Sequence, residues 1–207
     1  KRDFMELKPF KRESVFPLPV TFISTISKTG VRNIAPYSCV MPVLRPLDLV
    51  CIATAKRRDT LDNIRDTKEF VINMATTRLS DAVIPTARLA PPEVDEFVSA
   101  GLDEKPSVIV KPPGIKGCYA WLECRLDKLI EEESYILIIG KVVHLEITDE
   151  IYRQDGSWDV EKAEPLVMTG SDTHMHYCTV TATGRNDPFS AMFPNHIDPV
   201  AKKHMEK

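Results

Sequence analysis

Two stretches in the second half of the chain constrain the fold most. Cys118 to Ile130 alternates as YAWLECRLDKLI, and Tyr135 to Thr148 runs YILIIGKVVHLEIT. Only EEES separates them, so the pair predicts a long antiparallel hairpin. The same signal recurs upstream. VTFISTI (20–26) is alternating and β-branched, KTG offers a tight turn and VRNIAPYS returns, which makes 20–38 a second hairpin. Leu47 to Ala55 reads as a buried strand and FVINM (70–74) as another, with two helical turns over 60–67 between them, capped by Asp59 or Thr60.

From 76 to 100 the pattern is helical but cut by Pro85, Pro91 and Pro92, ending in a short helix Glu93–Ala100 capped by Gly101. Lys105 to Gly117 reads as proline-rich extended chain, 149–165 as loop and Tyr177–Thr181 as a weak strand. The remainder is irregular chain with Pro188, Pro194 and Pro199. Five to seven strands follow, mostly with antiparallel neighbours. Regular β-α-β alternation is missing, which argues against a doubly wound sheet. The expected fold is mainly β: a Greek-key-like antiparallel barrel with short helices. It forms one domain over 1–207, with a helical insertion at about 76–104 and an irregular tail at about 182–207.

At 207 residues and 43% hydrophobic, the chain can bury one sizeable core. Lys plus Arg number 27 against 30 Asp plus Glu, so neither nucleic acid nor an acidic membrane surface is an expected partner. The longest apolar runs fall far short of the ~20 residues that span a bilayer. No signal-peptide pattern is visible, although the chain opens on Lys1 rather than Met. The cysteines (Cys39, Cys51, Cys118, Cys124 and Cys178) are odd in number and include no C-x-x-C. Free, mostly buried thiols in a reducing cytoplasm are expected.

There is no G-x-G-x-x-G and no G-x-x-x-x-G-K-[ST], so neither a dinucleotide fold nor a P-loop is expected. The stretch CIATAKRRDTLDNI (51–64) instead puts Lys56, Arg57 and Arg58 where a strand ends and a helix begins. Unpaired N–H groups of the first turn, the positive end of the helix dipole and the Thr60 hydroxyl could complete an anion seat there. A solvated charged turn is the competing reading. Asn33-Ile34-Ala35-Pro36-Tyr37-Ser38 has a proline inside a strand, which marks an edge, a bulge or a ligand-lining segment. An ordinary edge strand is the plainer alternative.

Taken in order, PVTFIST, KTGVRNIAPYS, DLVCIATAKRRDTLDNIRDTKEFVINM, AWLECRL and IIGKVVHLEI resemble the flavin reductase-like, FMN-binding split-barrel family. That family includes flavoredoxins and the reductase components of two-component monooxygenases. The likeness is strongest over residues 17–75, weaker over 118–148, and suggestive at Gly170 and Tyr177. It implies a homodimer holding FMN non-covalently near the subunit interface. By position, Asn33, Ala35, Pro36, Tyr37 and Ser38 would line the ring and ribityl chain. Cys51, Ala53 and Thr54 would run beneath the flavin. Lys56, Arg57 or Arg58, and Thr60 would take the phosphate, with Asn63 steadying the turn.

The implied activity is NAD(P)H-dependent flavin reduction, with hydride passing from nicotinamide to flavin N5 and onward to free flavin or a redox partner protein. No catalytic acid or base is required of the chain, because the cofactor carries the chemistry. A flavoredoxin-type carrier without NAD(P)H activity, or a non-catalytic flavin- or anion-binding barrel, are the alternatives. His174 and His176 share one strand face but lack a third ligand fixed by spacing, so no metal site is expected. Either histidine, or Tyr177, could instead reach the flavin or nicotinamide. Cys39 and Cys51 read as packing. Trp121, Glu123 and Arg125 share a strand face opposite Leu122 and Cys124, with Trp121 read as barrel or interface packing, and Glu131–Glu133 as a solvated turn.

Overall fold

The computed structural model describes residues 4–200. Lys1 and the last seven residues of the expected irregular tail lie outside it. Chain order runs β1 (Leu18–Pro19), β2 (Thr21–Ile26), β3 (Arg32–Tyr37), β4 (Val40–Pro42), β5 (Leu49–Thr54), α1 (Asp59–Thr67) and β6 (Glu69–Met74). Then come α2 (Ser80–Ala87), α3 (Glu96–Ala100), β7 (Glu104–Lys105), β8 (Gly114–Ile115), β9 (Ala120–Glu131) and β10 (Ile136–Ile147). The series closes with α4 (Val160–Ala163), β11 (Val167–Gly170) and β12 (Met175–Cys178).

Among the described residues, seven strands make one curled antiparallel sheet, a half-barrel in the order β3-β2-β6-β9-β10-β5-β4. The β9–β10 hairpin is its spine, paired from Ile136 opposite Glu131 to Ile147 opposite Ala120. Register shifts between Ile139 and Gly140 and between Val142 and His144 bend that ribbon, as bulges do. Gly140 is required at the bend, because a Cβ there would collide with the Phe70 ring and crowd Val50. A second sheet, β1-β11-β12, and the pair β7-β8 complete the strands.

The period-2 geometry of β2 explains where the core sits. Phe22 points into a cluster with Ile34, Val83, Phe97, Ile115 and Leu166. Its neighbour Ile23 points the other way, into Ile52, Leu61, Ile64, Phe70, Ile72 and Ile138. Both faces of β2 are therefore buried, its hydroxyl residues included. That burial is tolerable because Thr21 donates to the Tyr37 carbonyl (3.0 Å), Ser24 to the Pro113 carbonyl (2.5 Å) and Thr25 to Asn33 Oδ1 (3.1 Å).

Several local expectations are corrected. The N-cap of α1 is Arg58, in extended conformation, with no side-chain cap. Asp59 and Thr60 lie inside the first turn. Pro85 sits within α2 instead of ending it, because α2 buries Ala82, Val83 and Thr86 and leaves Pro85 on the solvent face. Water there can take the carbonyl that the missing N–H leaves free. Residues 149–165 hold α4, capped by the Asp159 side chain. The weak strand lies at 175–178, and its partner β11 had no period strong enough to mark it. The cysteines are free, but only Cys118 and Cys124 are buried; Cys39 and Cys178 are exposed and Cys51 is intermediate.

Candidate functional site

A cleft of about 210 Å³ opens where the end of β3, the end of β5 and the start of α1 converge. Its floor carries small or flat side chains: Ala35 and Pro36 from β3, Ala53 from β5, and Ala55 just beyond it. Pro36 is placed without cost because β3 is the edge strand of the half-barrel. Tyr37 and Thr54 close one side, their hydroxyls 3.0 Å apart. Arg58, Asp59 and Thr60 form the mouth at the α1 N-terminus, and Thr86 to Ala90 hang over it from α2.

A buried network braces this corner. Thr60 and Thr25 donate to Asn33 Oδ1 at 3.0 and 3.1 Å, and Asn63 Nδ2 donates to the Thr25 hydroxyl at 3.0 Å. Asn33 Nδ2 donates in turn to Glu96 Oε2 at 2.5 Å, and the Ile34 N–H reaches the same oxygen at 2.7 Å. Glu96 is only 7% exposed and lies on the cleft wall. Burial pushes its carboxyl up; the Ile34 N–H pulls it back, Asp59 and Asp95 add repulsion, and the result is about 7.

The expected site residues separate into three groups. Asn33, Ala35, Pro36, Tyr37, Ala53, Thr54, Arg58 and Thr60 line the cleft. Asn63 stands behind it, bonded to Thr25, and borders a neighbouring cavity with Asn33, Asp59, Asp62 and Glu96. Ser38, Cys51, Lys56 and Arg57 do not line it. The Thr60 hydroxyl is committed to Asn33, and its residue is 2% exposed. Among the described residues, Lys56, Arg57, Arg58 and Arg88 are exposed and in no ion pair. Asp59 and Asp62, in the first turn of α1, oppose an anion there.

Glu96, Asp59 and Ala55 were missed as site residues by sequence reasoning, whereas the position of the 76–117 segment suggested a cover over the site and its residues 86–90 do line the cleft. The helix expected over Glu93–Ala100 starts three residues later, at Glu96, because the Asp95 side chain caps it by accepting from the N–H groups of Phe97 and Val98, and Gly101 ends it as expected. Nothing in that local pattern says that α3 packs against β3, where Ile34 lies 62 residues before Glu96.

Among the described residues, the side chains whose ligand atoms come together in a group of three are Glu123, His144 and Glu146, not the exposed His174 and His176. Their oxygens are largely engaged. Glu123 accepts from the backbone N–H of Val108, Ile109 and Val110, and Lys105 pairs with Glu146.

The model of the flavin reductase like domain matches residues 12–177 of this sequence. The chain belongs to that family. A protein of Methanothermobacter thermautotrophicus, described as uncharacterized, is 60% identical over 202 residues, 95% of each chain. Nitrilotriacetate monooxygenase component B from Bacillus cereus superposes with a TM-score of 0.79 at 24% identity, over 90% of this chain and 100% of that one. The flavoredoxin of Desulfovibrio vulgaris (Miyazaki F) gives 0.77 at 18% identity, over 91% and 100%. The half-barrel is thus the split-barrel fold of flavin reductases, and family membership supports a flavin-related redox role. Among the described residues no helix is long and apolar enough to cross a membrane.

Proposed function

We propose that the cleft holds FMN non-covalently and that the protein is an NAD(P)H-dependent flavin reductase. The observation carrying this reading is the junction of a small-residue floor with an unpaired Arg58 at an uncapped helix start. The donor set fits the group. Ala35, Pro36 and Ala53 let a flat ring approach the backbone of β3 and β5. The first-turn N–H groups of α1 and the Arg58 guanidinium suit a phosphate. Thr60 and Asn63 act one step back, holding Asn33 and the helix start in place through hydrogen bonds rather than touching the phosphate. Lys56 and Arg57 contribute general field only.

Bound FMN supplies the hydride-accepting chemistry. The residues of this chain bind and orient it and leave one face open to a nicotinamide, so no side chain need act as acid or base. At about 210 Å³ the cleft is smaller than the roughly 300–1,000 Å³ of ordinary small-molecule sites. A second copy of the chain completing it, as a homodimer, accounts for the shortfall. Reduced flavin then serves free flavin or a redox partner protein.

The test is spectroscopic. Purified protein with FMN should show a bound-flavin band near ~450 nm that bleaches on mixing with NADH or NADPH. A protein that never binds flavin ends this reading. One that binds flavin but stays oxidised with both nucleotides is an electron carrier served by another reductase.

A further inference from the structure

Glu96 is an unusual wall for a site built to receive an anion. Four charged side chains border the cleft: Arg58 and Arg88, and against them Asp59 and Glu96. Asp59 is partly exposed and can stay hydrated, whereas Glu96 is 7% exposed and cannot. Both hydrogen bonds that Glu96 accepts, from Asn33 Nδ2 and the Ile34 N–H, end on Oε2. Oε1 is left as the oxygen that can carry a proton without breaking the network.

The groups packed around it sharpen the conflict. From its own helix Asp95 faces it, with its charge shared by Arg32 of β3, which also pairs with Glu104. From α1 come Asp59 and Asp62, which border the adjoining cavity with Glu96, and Arg58 at the mouth. From the end of α2 comes Arg88. No cation is bonded to Glu96 itself among the described residues.

We infer that Glu96 couples ligand charge to protonation: entry of a phosphate-bearing flavin draws one proton from solvent onto Glu96, and an uncharged flavin does not. The inference rests on the flavin reading of the cleft. The neutral acid removes the carboxylate that would repel a dianion and keeps both acceptor bonds on Oε2. Glu96 is therefore a positioning and charge-selecting residue, outside the hydride chemistry. Its carboxyl, raised to about 7, places the exchange in the neutral range.

The experiment is calorimetric titration of the full chain with FMN and with riboflavin, at pH 7 and pH 8, in two non-phosphate buffers of different ionisation enthalpy. At pH 8 the FMN phosphate is already a dianion with no proton left to release, so any uptake is a net gain by the complex, and Glu96→Gln separates protonation of Glu96 from protonation of the phosphate. Uptake of about half a proton with FMN at pH 7 and about 0.9 at pH 8, little with riboflavin at either, and FMN affinity about fivefold weaker at pH 8 than at pH 7 are the expected results. Glu96→Gln retains an acceptor for Asn33 and Ile34, and it should abolish both the uptake and the pH dependence. The wild-type buffer comparison stands even if that variant folds poorly.

Equal uptake with both flavins, no uptake with FMN, or uptake surviving in Glu96→Gln would each overturn the inference while leaving the flavin site intact. No binding of either flavin removes the site reading, and the inference with it.

Discussion

Glu96 and Glu123 are both buried glutamates, 7% and 1% exposed, and they have opposite chemistry. Burial drives both carboxyls upward. At Glu123 the backbone N–H groups of Val108, Ile109 and Val110, helped by His144, more than reverse that and leave it below the usual range. At Glu96 one backbone N–H is too little, two acidic neighbours add to burial, and the group rises to about 7. The balance of donors against burial and like charge decides whether a buried carboxylate is a fixed strut or a titrating wall. Glu123 pins the 108–110 backbone onto the barrel, while Glu96 borders the cleft.

Glu123→Ala tests the strut most severely. It leaves three backbone donors without their acceptor, and urea denaturation should show a loss of about 3–5 kcal/mol. A loss under 1 kcal/mol would mean that the 107–113 loop does not depend on it. The pH dependence of the apoprotein should then separate the two glutamates. Glu96 titrates higher in the folded chain, so its contribution is present at low pH and lost as pH rises from about 4.5 to about 7. By linkage that amounts to at most roughly 3 kcal/mol. Glu96→Gln should flatten the neutral limb of the stability curve, and an unchanged limb would put its carboxyl in the ordinary range. Glu123 titrates low, so its contribution is present above the ordinary carboxylate range and lost as pH falls through its lowered value.

Smaller effects probe how the network serves the cleft. Thr60→Val leaves Asn33 Oδ1 with Thr25 alone, costing about 1–2 kcal/mol in thermal or urea unfolding. FMN and riboflavin affinities should fall together, because the change loosens the wall and removes no charge. Arg58→Ala should weaken FMN about tenfold at low salt and leave riboflavin nearly unchanged, by loss of one charge-assisted contact. Lys56→Ala and Arg57→Ala should each change FMN binding by less than about threefold, as solvated charges do. An Arg57 effect exceeding that of Arg58 would relocate the phosphate.

Much of the scaffold was legible because it is local. Period 2 in residues 20–26 and 118–148 and the short apolar run at 70–74 marked the strands, and EEES and KTG marked the turns. The strand-to-helix step at 51–64 and Pro36 on an edge strand pointed to the cleft before its depth was known. What escaped depends on partners far along the chain. Pro85 survives inside α2 because it faces water. β11 needed β1 and β12 to become a strand. Thr60 read as a free hydroxyl, but Asn33, 27 residues away, takes its hydrogen bond.

By itself the sequence determined which segments could be strands, that three cations meet a helix start, and which family the motifs resemble. Those depend on neighbours within a few residues, where backbone periodicity and capping act. Tertiary structure alone decided that Arg58 lines the cleft while Lys56 and Arg57 do not, and that Glu96 joins Asn33 across the wall. A charge's role depends on what surrounds it at hydrogen-bonding distance, and folding chooses those surroundings.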